Sequence, residues 1–223
     1  MGKTRETNLS NLIYRKLRRA IATGELSPGE KVIESRMTRE FGVSRTPFRE
    51  AVKRLETTGF VHTIHNKGTY VRKVTVQEIE QIFQVLSMLE GYASYLATQN
   101  ITPQEVDALA QLNNSMRELT HVGKYAEFHD KNVEFHFLIS RISGNEFLQN
   151  LIRDGYDRVH RYRFIGTVVG NNFEGFLSSH NALIDAVKER DAKKAEEEMR
   201  EHIKKIKDVV IGFMREFKYG ALP

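Results

Sequence analysis

From residue 75 onward this 223-residue chain carries apolar side chains at helical spacing in one segment after another, with no convincing strand between them. Thr75-Val76-Gln77-Glu78 has the form of a capping box. It opens a helix with Ile79, Ile82, Phe83, Leu86, Leu89, Ala93 and Leu96 on one face. Thr102-Pro103-Gln104-Glu105 repeats the start signal, with proline at the favoured first position, for a helix to about Leu119. The spacing predicts a third helix from about Lys124 to Ile142, stopped at Ser143-Gly144, and a fourth capped by Asn145 and running to about Phe164. Beyond the glycine-rich stretch 166–175 come a fifth helix to Arg190 and a sixth from Asp191 to about Phe217. A break inside that stretch would make seven. Six or seven amphipathic helices bury their stripes only against one another, so residues 75–223 are expected to form an all-α bundle.

Residues 1–74 differ in pattern and in charge. They hold 16 basic and 7 acidic side chains, a net of +9, whereas 75–223 hold 18 and 22, a net of −4. A small, strongly positive module beside a larger, mildly negative one points to a polyanionic partner for the first. Ser10 is placed to cap a helix carrying Leu12, Ile13, Leu17, Ala20 and Ile21, which Gly24 stops. A second short helix fits Glu34 to Phe41, and Gly42 breaks it. Ser44 stands where a new N-cap is wanted, with Pro47 in the first turn of a third helix bearing Phe48, Ala51, Val52 and Leu55. Gly59 ends it, and residues 60–64 and 69–71 read as two short strands around His65-Asn66-Lys67-Gly68. Two short helices joined by a glycine-containing turn and followed by a basic hairpin make a winged helix-turn-helix. The fold class is therefore mainly α, with a small β wing. Ser44, Arg45, Thr46 and Arg49 begin the polar side of the third helix, where an arginine reaches guanine bidentately in the major groove and the helix N-terminus attracts phosphate. Lys67-Gly68 at the hairpin tip allows a close approach to the neighbouring groove.

The stretch from Pro28 to Val71 resembles the DNA-binding domain of the GntR family of bacterial transcription regulators. Its densest part is Phe41-Gly42-Val43-Ser44-Arg45-Thr46-Pro47-Phe48-Arg49-Glu50-Ala51, continued by Leu55 and Gly59-Phe60-Val61. The resemblance implies that Arg45 and Arg49 contact bases, Ser44 and Thr46 phosphates, and the wing around His65, Lys67 and Gly68 the minor groove. Ser35 stands where some members have an arginine, and Arg36 next to it is the candidate to replace that contact.

Three histidines fall on inner faces of separate bundle helices. His136 lies one turn after Asn132, His180 between Leu177 and Leu183, and His202 between Met199 and Ile206. Two readings stand side by side: core histidines with satisfied ring nitrogens, or imidazoles converging on a divalent transition metal with Asn132 adding an oxygen ligand. The motifs around them, Asn132-Val133-Glu134-Phe135-His136, Gly144-Asn145, His180 to Ala186 and Arg200-Glu201-His202, resemble the C-terminal ligand-binding domain of the FadR subfamily, called FCD. Many members of that subfamily bind a metal through one aspartate and three histidines, on which a small carboxylate effector sits. The resemblance implies Asn132, His136, His180 and His202 as ligands of zinc, nickel or manganese, with asparagine in the aspartate position. Leu86 stands where many members carry an arginine that holds the effector. A neutral ligand set leaves a bound cation's charge uncompensated and should draw an anion strongly. Arg153, Arg158 and His160 on the fourth helix are candidate effector contacts, with Arg161, Arg163 and His129 nearby.

The expectation is a homodimeric, cytoplasmic regulator binding a palindromic double-stranded DNA operator, with repression relieved by a small organic acid. Coupling would run through Arg72–Val76. Cysteine is absent, which excludes disulfides and thiolate metal sites, and no apolar run approaches membrane-spanning length. The first ten residues lack a signal peptide's apolar core. Two alternatives remain: a metal that is only structural, and a metal-dependent hydrolase. Against the hydrolase, no HExxH-type motif and no carboxylate at a general-base spacing is present, so no catalytic residue is expected.

Overall fold

A computed structural model describes residues 2–169 and 172–216, and it divides into two compact units, Met1–Thr75 and Val76–Pro223. In the first unit, helix α1 (Gly2–Thr23) is followed by strand β1 (Lys31–Val32), α2 (Glu34–Phe41), α3 (Arg45–Thr57), β2 (Val61–Ile64) and β3 (Gly68–Val71). The three strands form an antiparallel sheet in the order β1-β3-β2, with Val32 opposite Thr69 and His62 opposite Tyr70. Ile13, Leu17, Leu26, Met37, Phe48, Ala51, Leu55, Phe60, Val61 and Val71 pack one core under the helices and the sheet.

Two details differ from the sequence reading. Ser10 lies inside α1 rather than capping it, because nothing between Gly2 and Ser10 terminates a helix and serine costs little within one. Strand β1 was not anticipated, since two residues carry no measurable alternation. The hairpin turn places its one left-handed non-glycine residue at Asn66, φ 60°, a residue type that tolerates that region. The α2–α3 turn matches expectation: Gly42 takes φ 63° and ψ 37°, and its amide and that of Val43 close the end of α2 on Arg39 and Thr38 carbonyls.

The second unit contains, among the described residues, six helices: α4 (Val76–Asn100), α5 (Pro103–His121), α6 (Tyr125–Ile142), α7 (Glu146–Val169), α8 (Phe173–Lys188) and α9 (Ala192–Glu216). Thr102 and Glu105 form the full capping box at the start of α5, and Asn145 Oδ1 accepts from the Leu148 amide at the start of α7. Helix α7 runs past Phe164 to Val169, because Gly166 lowers helical propensity without ending the helix. Residues 170 and 171, within the stretch where a seventh helix was left open, lie outside the described residues. Helix α4 packs along α9, α5 lies against α6 and α8, and α7 meets α4, α6 and α9. No helix among the described residues is long and apolar enough to cross a membrane.

Candidate metal centre and nucleic-acid interface

Three helices bring three imidazoles to one point. Helix α6 carries His136 and α8 carries His180, while α9 carries His202. All three are buried. The Nε2 atom of His202 lies 3.3 Å from that of His180 and 3.2 Å from that of His136. On two of the rings the opposite nitrogen is held from outside, while His202 Nδ1 is buried without a hydrogen-bond partner. His136 Nδ1 donates to Glu90 Oε2 at 2.7 Å, and His180 Nδ1 donates to Asn113 Oδ1 at 3.1 Å. The Asn113 amide is itself oriented, since its Nδ2 donates to the Leu177 carbonyl and to Asn181 Oδ1. With protons committed to Nδ1 on two rings, the corresponding Nε2 atoms present lone pairs to a third nitrogen at close range. One proton on His202 can satisfy one of them; a cation satisfies all three.

The spacing fits a metal. Bonds of about 2.0–2.1 Å at tetrahedral angles separate ligand nitrogens by about 3.4 Å, and at octahedral angles by about 3.0 Å. The observed 3.2 and 3.3 Å lie between. A hydrogen-bonded carboxylate or carbonyl behind a ligating imidazole is also the usual support for such a site. Asn132, one turn before His136, is buried with an Oδ1 that has no hydrogen-bond partner, which leaves its lone pairs open to a cation. Phe135 stacks on the His180 ring at 4.1 Å between centroids, and Phe176 and Tyr156 flank His202 and His136. This apolar wall explains the electrostatics. Burial, followed by neighbouring charges, drives His180 and His202 well below the ordinary imidazole range. Burial lowers His136 too, while the charge and hydrogen bond of Glu90 oppose that shift. The three rings are kept neutral, the form that ligates.

Glu90 was missed by the sequence reading, and Arg163 was named there only among the cations near the candidate effector contacts. Glu90 is buried on α4, and its Oε2 accepts hydrogen bonds from His136 Nδ1 and, at 3.0 Å, from the Tyr156 hydroxyl. The Arg163 guanidinium is buried on α7, 4.2 Å from the Tyr156 ring centroid. The expectation that nothing offsets a cation at the histidines is therefore corrected: a carboxylate stands one residue behind the donor set, with a buried arginine close to it. The signal lay in the stripes. Residues 79, 83, 86, 90, 93 and 97 of α4 are buried, so Glu90 takes an inner position while its neighbour Leu89 is half-buried.

The nominated effector residues are not brought to the triad. Arg153 and Arg158 are exposed on α7, Arg153 lying 5.9 Å from the Phe137 ring; residues 153 and 158 fall on the outer side of a helix whose inner stripe runs 152, 156, 159 and 163. His160 is half-buried and meets His129 edge-on at 5.2 Å. The side chain of Arg161 lies outside the described residues. Leu86 is buried against α7, where a Cβ on Gly155 would come within 2.6 Å of it.

In the first unit, Ser44, Arg45, Thr46 and Arg49 are all exposed at the start of α3. Ser44 has N-cap dihedrals, φ −75° and ψ 165°, and its side chain makes no capping hydrogen bond. Arg45 and Arg49 both approach Glu34, the first residue of α2. His65 and Lys67 are exposed at the wing tip, where the Tyr70 hydroxyl donates to the Lys67 carbonyl. Gly68 takes φ 113°, a backbone region closed to most side chains. Arg36 lies 3.9 Å from both Glu30 and Glu40 and does not join the Glu34 group.

Comparison with known proteins agrees with both halves. Residues 9–71 match the family described as bacterial regulatory proteins, gntR family, and residues 81–205 match the FCD domain. The chain is 27% identical over 190 residues to the uncharacterized HTH-type transcriptional regulator YdhC of Bacillus subtilis, covering 85% of each. It is 26% identical over 198 residues to the HTH-type transcriptional repressor RspR of Escherichia coli, covering 89% of this chain and 87% of that one. The solved structure of E. coli McbR/YncC shares the fold, with a TM-score of 0.77 at 21% identity over 92% of this chain and 98% of the other. The FCD match alone spans more than half of the sequence, and with the gntR match ahead of it the chain belongs to the GntR family of DNA-binding transcription regulators, among the members that carry an FCD domain, and not to a family of enzymes.

Proposed function

We propose that this regulator is a homodimeric repressor whose FCD domain holds a divalent transition metal and releases DNA when a small organic acid binds there. The observation that carries the metal is the convergence of three Nε2 atoms, with the Nδ1 atoms of His136 and His180 tied to Glu90 and Asn113. His136, His180 and His202 would hold zinc, nickel or manganese, with Asn132 Oδ1 as a fourth donor. The metal, when bound, supplies Lewis acidity towards an oxyanion. Arg163, which is buried on α7, would orient the carboxylate in place of the exposed Arg153 and Arg158. Ser44, Arg45, Thr46 and Arg49 face the major groove, and His65, Lys67 and Gly68 the adjacent minor groove. Two such units read a palindrome, since one makes too few contacts for a specific site. Repression draws support from the description of RspR as a repressor.

Elemental analysis of the purified protein beside His180→Ala, with melting followed before and after chelation, tests the metal centre. Near one metal per chain is expected, lost in the variant together with several degrees of stability. No metal in either protein and no effect of chelator would return the histidines to a packing role. The complete burial of the three rings also favours a second version, in which the metal is only structural. An acid-dependent change in operator affinity at constant metal content excludes that version.

A further inference from the structure

The α2–α3 pair contains a carboxylate on the surface that should meet a polyanion. Glu34 places Oε1 3.6 Å from Arg45 Nε and Oε2 2.9 Å from Arg49 Nε. One carboxylate thus engages two arginines, one oxygen each, and in both cases through the Nε edge. Arg45 and Arg49 are four residues apart on α3 and share a face. The two terminal nitrogens of each guanidinium stay outside this contact, and that fork is what grips guanine O6 and N7.

Stability does not account for the arrangement. The arginine side chains are 73% and 68% exposed, and ion pairs so exposed contribute little. Affinity for DNA does not account for it either, because a carboxylate among the reading residues repels phosphates and cancels part of the positive charge. What it supplies is order. Two long, flexible side chains would otherwise close on the nearest phosphates; with Arg49 hydrogen-bonded and Arg45 ion-paired through their Nε edges, they would reach the groove with both forks already aimed.

We propose that Glu34 is a positioning residue for base reading: it holds Arg45 and Arg49 so that their terminal forks face the major groove, raising sequence discrimination while lowering overall affinity for DNA. The proposal rests on α3 being the helix that reads bases. It is tested with full-length protein and two probes: a duplex enriched from a random-sequence pool by the unsubstituted chain, and a scrambled duplex of the same length and composition. Glu34→Gln is expected to bind the scrambled duplex more tightly and to lose about tenfold in the affinity ratio between the two, with an unchanged melting midpoint. Arg49→Ala is expected to lose discrimination as well, and the double variant to lose less than the product of the single losses, because Glu34 acts partly through Arg49. If Glu34→Gln tightens both duplexes by the same factor while Arg49→Ala loses discrimination, the positioning role is overturned and the reading helix stands. If Arg49→Ala also keeps its discrimination, the assignment of α3 fails and the proposal fails with it.

Discussion

At the proposed metal centre two residues of opposite visibility would set the charge. Asn132 would contribute a neutral oxygen, which has no hydrogen-bond partner, and Glu90 a carboxylate through His136. Asn132→Asp is expected to tighten metal binding by placing charge on the donor itself. Glu90→Gln should weaken it by about 10–100-fold, the usual effect of removing the group behind a ligating histidine. Competition against a chelating dye reads both. Affinities unchanged in the two variants would mean that neither side chain faces the metal. Asn132, His136, His180 and His202 were visible in the sequence because polar residues on apolar stripes stand out. Glu90 lies on a stripe as well, but a single charge in a helix is assigned to solvent by default, and Leu89 beside it offers an apolar alternative for the same face; Arg163 was one of several arginines of α7 that spacing alone did not rank. Arg153 and Arg158 show the converse: cations near the right level of the right helix, facing outward.

At the scale of elements, start and stop signals determined most boundaries. The capping box at Thr102 and Glu105 satisfies two amides at the head of α5. Thr102→Ala should therefore cost about 1 kcal/mol of unfolding free energy in urea titration. A loss indistinguishable from zero would show that the Glu105 contact to the Thr102 amide is sufficient alone. Where signals were weak or local, tertiary context decided instead. Strand β1 exists because β3 offers it a paired edge, and α7 continues through Gly166 to Val169. The rotation of α4 that buries Glu90 and leaves Leu89 half-buried follows from its neighbours α6, α7 and α9, which the periodicity of α4 by itself does not encode.

The whole molecule should be sensitive to acid. His129 is buried, and desolvation first, then the charges of His160, Arg163 and His136, lower it to about 3. His136, His180 and His202 are also lowered, chiefly by burial. In the unfolded chain such groups titrate near the ordinary value of about 6.5. Above that pH both states are neutral and the stability is fully present. Below it the unfolded state takes up protons that the folded state refuses, so stability falls with pH, for His129 over the range from 6.5 down to about 3. Each such histidine contributes a slope of at most about 1.4 kcal/mol per pH unit. Urea unfolding of chelator-treated protein at pH 7, 6 and 5 should show this decline, and His129→Leu should flatten it. A profile flat from pH 7 to 5 would place the imidazoles in contact with water.

The sequence by itself determined the local and periodic features: capped helices, the glycine-broken turn before α3, the basic hairpin, the division of charge at residue 75, and the four polar residues on inner stripes. These are readable because helix propensity, turn chemistry and amphipathic spacing act over a few residues. Only the tertiary structure decided which charges stand together. The meeting of Glu90, Tyr156 and Arg163 behind His136, and of Glu34 with Arg45 and Arg49, depends on how helices distant in sequence are rotated against one another. That rotation is set by packing of whole faces, where many small dispersion and burial terms outweigh the preference of any single side chain for water.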